Sequence, residues 1–75
     1  MLRLSGKWAP FFNSQPETGM GYVIATVRLR DGREFERVCV VEEFVTSVDG
    51  KSEIPFADDD IAEFIVTHDK KNLLR

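Results

Sequence analysis

Two Asp-Gly pairs within alternating stretches constrain this chain more than any other feature of its sequence. Such a pair is typical of a two-residue hairpin turn, because both central residues of that turn take positive φ. The first pair is Asp31-Gly32. Residues 22–30 before it alternate in hydrophobicity and are rich in β-branched side chains, and residues 33–44 follow as the returning strand. The sequence therefore predicts a first β-hairpin here.

The second pair, Asp49-Gly50, predicts another hairpin directly after the first. Its strands are residues 45–48 and residues 51–56, and a last strand follows at residues 61–68. Short antiparallel strands leave the fewest open edges when their sheet closes on itself. We therefore expect a mostly β fold, a small five-stranded antiparallel barrel or half-barrel.

Three consecutive aspartates, residues 58–60, precede the last strand. Aspartate carboxylates accept hydrogen bonds from the free N–H groups at a helix start, so these residues predict one short helical turn. A divalent-cation site is the alternative reading, since hard cations bind several carboxylate oxygens. Consecutive aspartates lack the alternating spacing of a calcium loop, and we expect no metal site.

Residues 1–21 contain two prolines, several polar turn-formers and two glycines near their end. This composition disfavours a long helix or strand and predicts an extended N-terminal arm. The arm nevertheless contains Trp8, Phe11 and Phe12, and each aromatic side chain buries about 150–250 Å² in a folded protein. We therefore expect the arm to dock on another surface.

The chain has 75 residues, of which 43% are hydrophobic and 31% charged, a composition typical of one globular domain. The expected organisation is the arm at 1–21, a barrel domain at 22–68 and a flexible C-terminal tail at 69–75. Domains of this size bury little surface and often need a disulfide, a metal or a partner. The single cysteine, Cys39, excludes an intramolecular disulfide, which favours self-association.

A single thiol suits a reducing compartment, and the first residues contain no apolar segment of signal-peptide length. We therefore expect a cytoplasmic protein. No stretch is long and apolar enough to predict a membrane partner. The formal net charge of −3 gives no global attraction to nucleic acid.

A two-residue first turn would place Ile24 opposite Cys39, Ala25 opposite Val38 and Thr26 opposite Arg37. One face of the hairpin then carries Val23, Ala25, Val38 and Val40, and the other carries Tyr22, Ile24, Cys39 and Val41. Both faces are apolar, so the second needs a cover, either the aromatic arm or another subunit. The expected interaction surface comprises Trp8, Phe11, Phe12, Tyr22, Ile24, Cys39 and Val41.

Charged residues concentrate near the first turn. The same register would place one aromatic and four arginines on a single face: Arg28, Arg30, Arg33, Phe35 and Arg37. Arginines bind phosphates and an aromatic ring stacks on bases, so this set is a candidate anion or single-stranded nucleic-acid patch. The alternative is a solvated hairpin tip, which the acidic character of the chain favours.

The sequence offers little for catalysis. Cys39 lies in an apolar strand, where a free cysteine behaves as a small hydrophobic residue. His68 precedes Asp69, yet adjacent strand residues point to opposite faces and do not form a base with its orienting acid. We expect no catalytic residues and no cofactor.

Residues 27–35, the later Ile54-Pro55-Phe56 and residues 60–65 resemble the strand-turn-strand progression of Sm-like and SH3-like small barrels. The resemblance covers residues 22–67 and implies the small-barrel fold. The RNA-binding positions of Sm-like proteins have no matching residues in this chain, so the resemblance does not imply RNA binding or ring assembly.

These features together predict a small β-barrel that acts as a protein-interaction or self-associating module and is not an enzyme. Its expected partner is a second copy or another protein. Weak binding of single-stranded nucleic acid through the arginines is the alternative function.

Overall fold

The computed structural model describes residues 1–69 and is mostly β. Its strands are β1 (Leu2–Arg3), β2 (Val23–Leu29), β3 (Glu34–Val41), β4 (Phe44–Val48) and β5 (Ile61–Val66). They form one antiparallel sheet in the order β1-β4-β3-β2-β5, curled into a half-barrel. The expected five-stranded antiparallel half-barrel is confirmed.

The N-terminal arm is less extended than its composition predicts. Between β1 and β2 it forms a 3₁₀ turn at Gly6–Trp8 and a short helix, α1, at Ala9–Asn13. Pro10 lies in the first turn of α1, where its missing N–H has no intrahelical partner to lose. No helix within residues 1–69 is long and apolar enough to cross a membrane.

The helical turn before the last strand is confirmed as a 3₁₀ turn at Asp58–Asp60. The Ala57 main-chain N–H donates to the Asp60 carboxylate at 3.0 Å, and the Asp60 N–H donates to the Ala57 carbonyl at 3.0 Å. The Ser5 N–H donates to the Asp58 carboxylate at 2.9 Å. The aspartates therefore close their own turn and hold the arm against it.

The second Asp-Gly pair forms the expected two-residue turn, because Val48 and Lys51 exchange main-chain hydrogen bonds of 2.8 and 3.0 Å across it. The predicted strand at residues 51–56 is wrong, however. Pairing ends at a single Val48–Lys51 bridge, and Pro55 has no N–H to continue a ladder. The fifth strand of the sheet is instead β1, which belongs to the arm and pairs with β4.

The first hairpin has a three-residue loop rather than the expected two-residue turn. Leu29 donates its N–H to the Arg33 carbonyl at 2.8 Å, and Gly32 takes φ +98° inside the loop. A bulge at Arg37, φ +52°, then shifts the register by one residue in the opposite sense. Thr26 lies opposite this bulge, and the expected Thr26–Arg37 pair is not part of the register.

Beyond the bulge the two shifts cancel. Ile24 lies opposite Cys39 and Ala25 opposite Val38, and both of these expected pairings are confirmed. The register prediction therefore fails near the turn and succeeds at the far end of the hairpin.

The core lies on the concave face of the half-barrel. Val27 pairs with Phe35 on one side and with Phe64 on the other, so all three share this inner face. Leu4 of the arm is 4% exposed and Phe56 of the long β4–β5 connection is 7% exposed, and both pack into the same cluster. Of the expected flexible tail, residues 70–75 lie outside the described part of the chain.

Candidate interaction surface

The outer face is the convex side of the sheet, and strand register assigns its residues because directly paired residues share a face. Ile24 pairs with Cys39, and Cys39 pairs with Ser47 across β2, β3 and β4. Val41 pairs with Phe44 in the neighbouring row. The predicted second face of the hairpin is therefore the outer face of the sheet.

Four apolar residues on this face keep part of their surface in solvent, and we call them the outer patch: Cys39, Val41, Phe44 and Ile65. The first three are half-buried, and Ile65 on β5 is 39% exposed. Ile65 pairs with Thr26, which places it on the outer face beside the Ile24–Cys39 row. The outer patch thus has two parts on this face, one near the β3–β4 turn and one on β5, with β2 between them.

The other end of the outer face is charged. Arg28 donates to Glu34 at 2.9 Å and to Glu63 at 2.7 Å, so one guanidinium joins three adjacent strands. The hydrogen bond to Glu34 and the negative charge of Glu63 raise the pKa of Arg28. All three side chains are about half exposed, and the contribution of such pairs to stability is small.

Ile24 itself is 0% exposed, because two chain segments converge on it. The Thr18 hydroxyl accepts the Ile24 N–H at 2.7 Å and lies 2.5 Å from His68 Nδ1. His68 donates its main-chain N–H to the Ile24 carbonyl at 3.0 Å. Tyr22 is half-buried, and its ring lies against the Gly19 backbone.

The three aromatic residues of the arm pack on the inner face and do not cover the outer patch. Their rings surround Phe64, with centroids 4.9 Å from Trp8, 6.4 Å from Phe11 and 4.8 Å from Phe12. Phe64 belongs to the core cluster because it pairs with Val27. The aromatic rings of the arm therefore do not cover the second face, whereas Thr18 near the end of the arm contacts Ile24 there.

The five residues of the expected anion patch do not share a face. Phe35 lies on the inner face, with its ring centroid 5.4 Å from that of Phe56, whereas Arg28 lies on the outer face. The shifted register near the turn separates them. Arg30 is exposed at the loop and donates its main-chain N–H to the Asp60 main-chain carbonyl at 2.8 Å.

Two further arginines of that set form ion pairs. Arg33 contacts Asp31 at 2.8 Å, and the pKa of Asp31 is lowered mainly by the hydrogen bond from the Arg33 main-chain N–H. Arg37 contacts Asp49 at 2.6 Å and Asp69 at 3.2 Å, with its side chain only 17% exposed. A phosphate would have to compete with these carboxylates, and nucleic-acid binding stays a prediction.

The two residues considered for catalysis lie in different surroundings. Cys39 is half-buried in the middle of the sheet, and the His68 ring contacts the Thr18 hydroxyl. Within residues 1–69, no three side chains of His, Cys, Asp or Glu are grouped so that they could hold a metal ion.

The sequence did not predict an open groove of about 720 Å³ between the arm and the β3–β4 turn. Leu4, Trp8 and Phe12 contribute apolar walls, and Glu42 and Asp58 contribute acidic ones. The Trp8 Nε1 atom is buried and has no hydrogen-bond partner. Because these walls come from three distant parts of the chain, no local sequence pattern could indicate the groove.

Comparison with protein-family models, with curated proteins and with solved structures finds no match to this chain.

Proposed function

We propose that this protein is a non-catalytic interaction module that self-associates through the outer face of its sheet. The observation that carries the proposal is the outer patch: Cys39, Val41 and Phe44 are half-buried on β3 and β4, and Ile65 is exposed on the same face of β5. Apolar residues exposed on one sheet face are typical of a surface that a partner covers.

The charge pattern of the outer face supports an oriented contact. The apolar end carries the outer patch, and the opposite end carries the Arg28, Glu34 and Glu63 row. A charged row beside an apolar patch disfavours misaligned contacts, because two copies approach best when opposite charges meet. Arg28 forms ion pairs with both carboxylates within one copy, so burial of the apolar end leaves each charge of this row with a partner.

Light scattering coupled to size-exclusion chromatography tests the proposal over a concentration series. We expect the unaltered protein to exceed its monomer mass of 8.6 kDa as concentration rises. The Val41→Lys variant should associate less than the unaltered protein at each concentration, because an ammonium group would be desolvated in the outer-face contact.

Met20→Lys is the matched control, since Met20 is apolar, 98% exposed and lies in the arm rather than on the sheet. It should associate as the unaltered protein does. Circular dichroism establishes that both variants fold. A monomer mass at every concentration, or equal behaviour of the two lysine variants, contradicts the proposal.

A further inference from the structure

The sheet has two edge strands, β5 and β1, and β5 is the longer of them. The sheet order pairs β5 with β2 on one side, and no other strand within residues 1–69 pairs with it. The opposite edge is β1, which has only two residues. The half-barrel therefore has one substantial open edge, and it adjoins Ile65 of the outer patch.

The hydrogen bonds of β2 determine which β5 residues direct their main chain to this edge. Leu29 donates toward β3, whereas the Ile24 carbonyl accepts from Thr67 on the β5 side. Alternation along β2 then directs Thr26 and Arg28 toward β5, where they pair with Ile65 and Glu63.

Phe64 and Val66 therefore direct their main-chain N–H and C=O groups away from β2. No hydrogen bond from another segment of residues 1–69 reaches these groups. Unpaired main-chain groups in a row are a template for a further strand.

Few of the features that protect natural edge strands are present between Glu63 and Val66. This stretch has no proline and no lysine, and its one charged side chain is bonded to Arg28. The bulge of β5 lies before it, at the register shift between Arg28 and Leu29. The regular part of the edge is thus short and largely apolar.

We propose that two copies pair antiparallel through β5, with Ile65 opposite Ile65 of the second copy. This inference rests on the proposed self-association and adds an edge contact to it. The pairing brings Ile65 of the outer patch against its copy, whereas Cys39, Val41 and Phe44 on β3 and β4 lie outside the edge contact. In this register Phe64 and Val66 of one copy exchange main-chain hydrogen bonds with Val66 and Phe64 of the other. The exposed Ile65 side chains meet at the two-fold axis, and Glu63 lies opposite Thr67.

The neighbouring registers are less favourable. A shift that opposes Phe64 to Phe64 requires Ala62, which lies at the bulge, to pair with Val66. The opposite shift places Glu63 across from Asp69, and like charges directly opposite destabilise a strand pair. A head-to-tail contact of β5 with β1 would use an edge of only two residues, which favours the symmetric pairing.

Cysteine cross-linking tests the register. In a Cys39→Ser background, Ile65→Cys should form a disulfide-linked dimer under mild oxidation. Facing residues of a pair without hydrogen bonds have Cα atoms about 4.5 Å apart, which suits a disulfide. Glu63→Cys is the matched control on the same strand and face. In this register residue 63 lies far from its equivalent, so this variant should form no disulfide-linked dimer.

Amide hydrogen exchange of the unaltered protein provides a second measurement that needs no substitution. Exchange at Phe64 and Val66 should slow about tenfold once about nine in ten chains are paired, because only the unpaired fraction exchanges. The Ile65 amide bonds to β2 in either state and should not respond to concentration.

The outcomes separate this inference from the proposed function. A dimer by light scattering that neither cross-links through Ile65→Cys nor protects Phe64 and Val66 overturns the edge pairing and leaves self-association intact. Preferential cross-linking through Glu63→Cys also overturns the register. A protein that stays monomeric throughout overturns both.

Discussion

At the residue scale, the least satisfied group of the described structure is the indole N–H of Trp8. It is buried without a hydrogen-bond partner, although the same ring packs edge-on against Phe64 at 4.9 Å. An unmet buried donor costs about 1–3 kcal/mol, whereas burial of the ring stabilises the fold. Trp8 therefore contributes less to stability than its size indicates.

Trp8→Phe should accordingly leave the free energy of unfolding within about 1 kcal/mol of the original, because loss of the orphan donor offsets the lost ring volume. Phe64→Ala, which removes the ring at the centre of the same cluster, should cost about 3–5 kcal/mol. Urea unfolding followed by circular dichroism measures both. A loss above about 2 kcal/mol for Trp8→Phe would mean that the N–H has an acceptor.

At the element scale, the first hairpin shows what the sequence predicts and where it fails. The Asp-Gly pair correctly locates the turn, but the pair does not distinguish a two-residue loop from a three-residue loop with Gly32 at positive φ. The bulge at Arg37 has no local sequence signature either, since arginine rarely adopts φ +52°. The loop takes one extra residue from the β2 side and the bulge adds one extra residue to β3, so the two register shifts cancel.

This compensation explains which site residues were predictable. Ile24 and Cys39 lie beyond both irregularities, so their face follows from simple counting. Arg28 and Phe35 lie between the two, so the counting assigned them to one face when they occupy opposite faces. The apolar part of the outer face was therefore predictable, and the grouping of the arginines was not.

Substitution of the loop glycine tests the three-residue loop. Gly32→Ala should destabilise the fold by about 1–2 kcal/mol, because an L-residue is strained at φ +98°. A Cβ there meets nothing within 4 Å, so the cost is that of the backbone alone. Gly6→Ala, where a Cβ also meets nothing within 4 Å, is the control and should be neutral or slightly stabilising. Equal thermal unfolding midpoints for the two variants would contradict this loop geometry.

At the scale of the whole molecule, the arm completes a core that the half-barrel leaves open. The radius of gyration is 11.1 Å, close to the ~11 Å expected for a compact chain of this length, so the arm folds against the sheet. Two long-range contacts achieve this: β1 pairs with β4, and the aromatic rings of the arm surround Phe64. The strands β1 and β4 lie more than 40 residues apart in the chain, so no local sequence pattern predicts that they pair. The composition of the arm indicated only that the arm docks.

If the arm is an integral part of the core, it should unfold together with the sheet. Trp8 is the only tryptophan and lies in the arm, so its fluorescence reports arm docking while far-UV circular dichroism reports the strands. The two urea transitions should coincide, as a two-state domain requires. Phe12→Ala should shift both midpoints equally to lower urea, because it removes a ring that contacts Phe64 at 4.8 Å. A fluorescence transition that precedes the loss of β signal would show instead that the arm detaches from a stable barrel, and the aromatic rings would then be free to bind a partner.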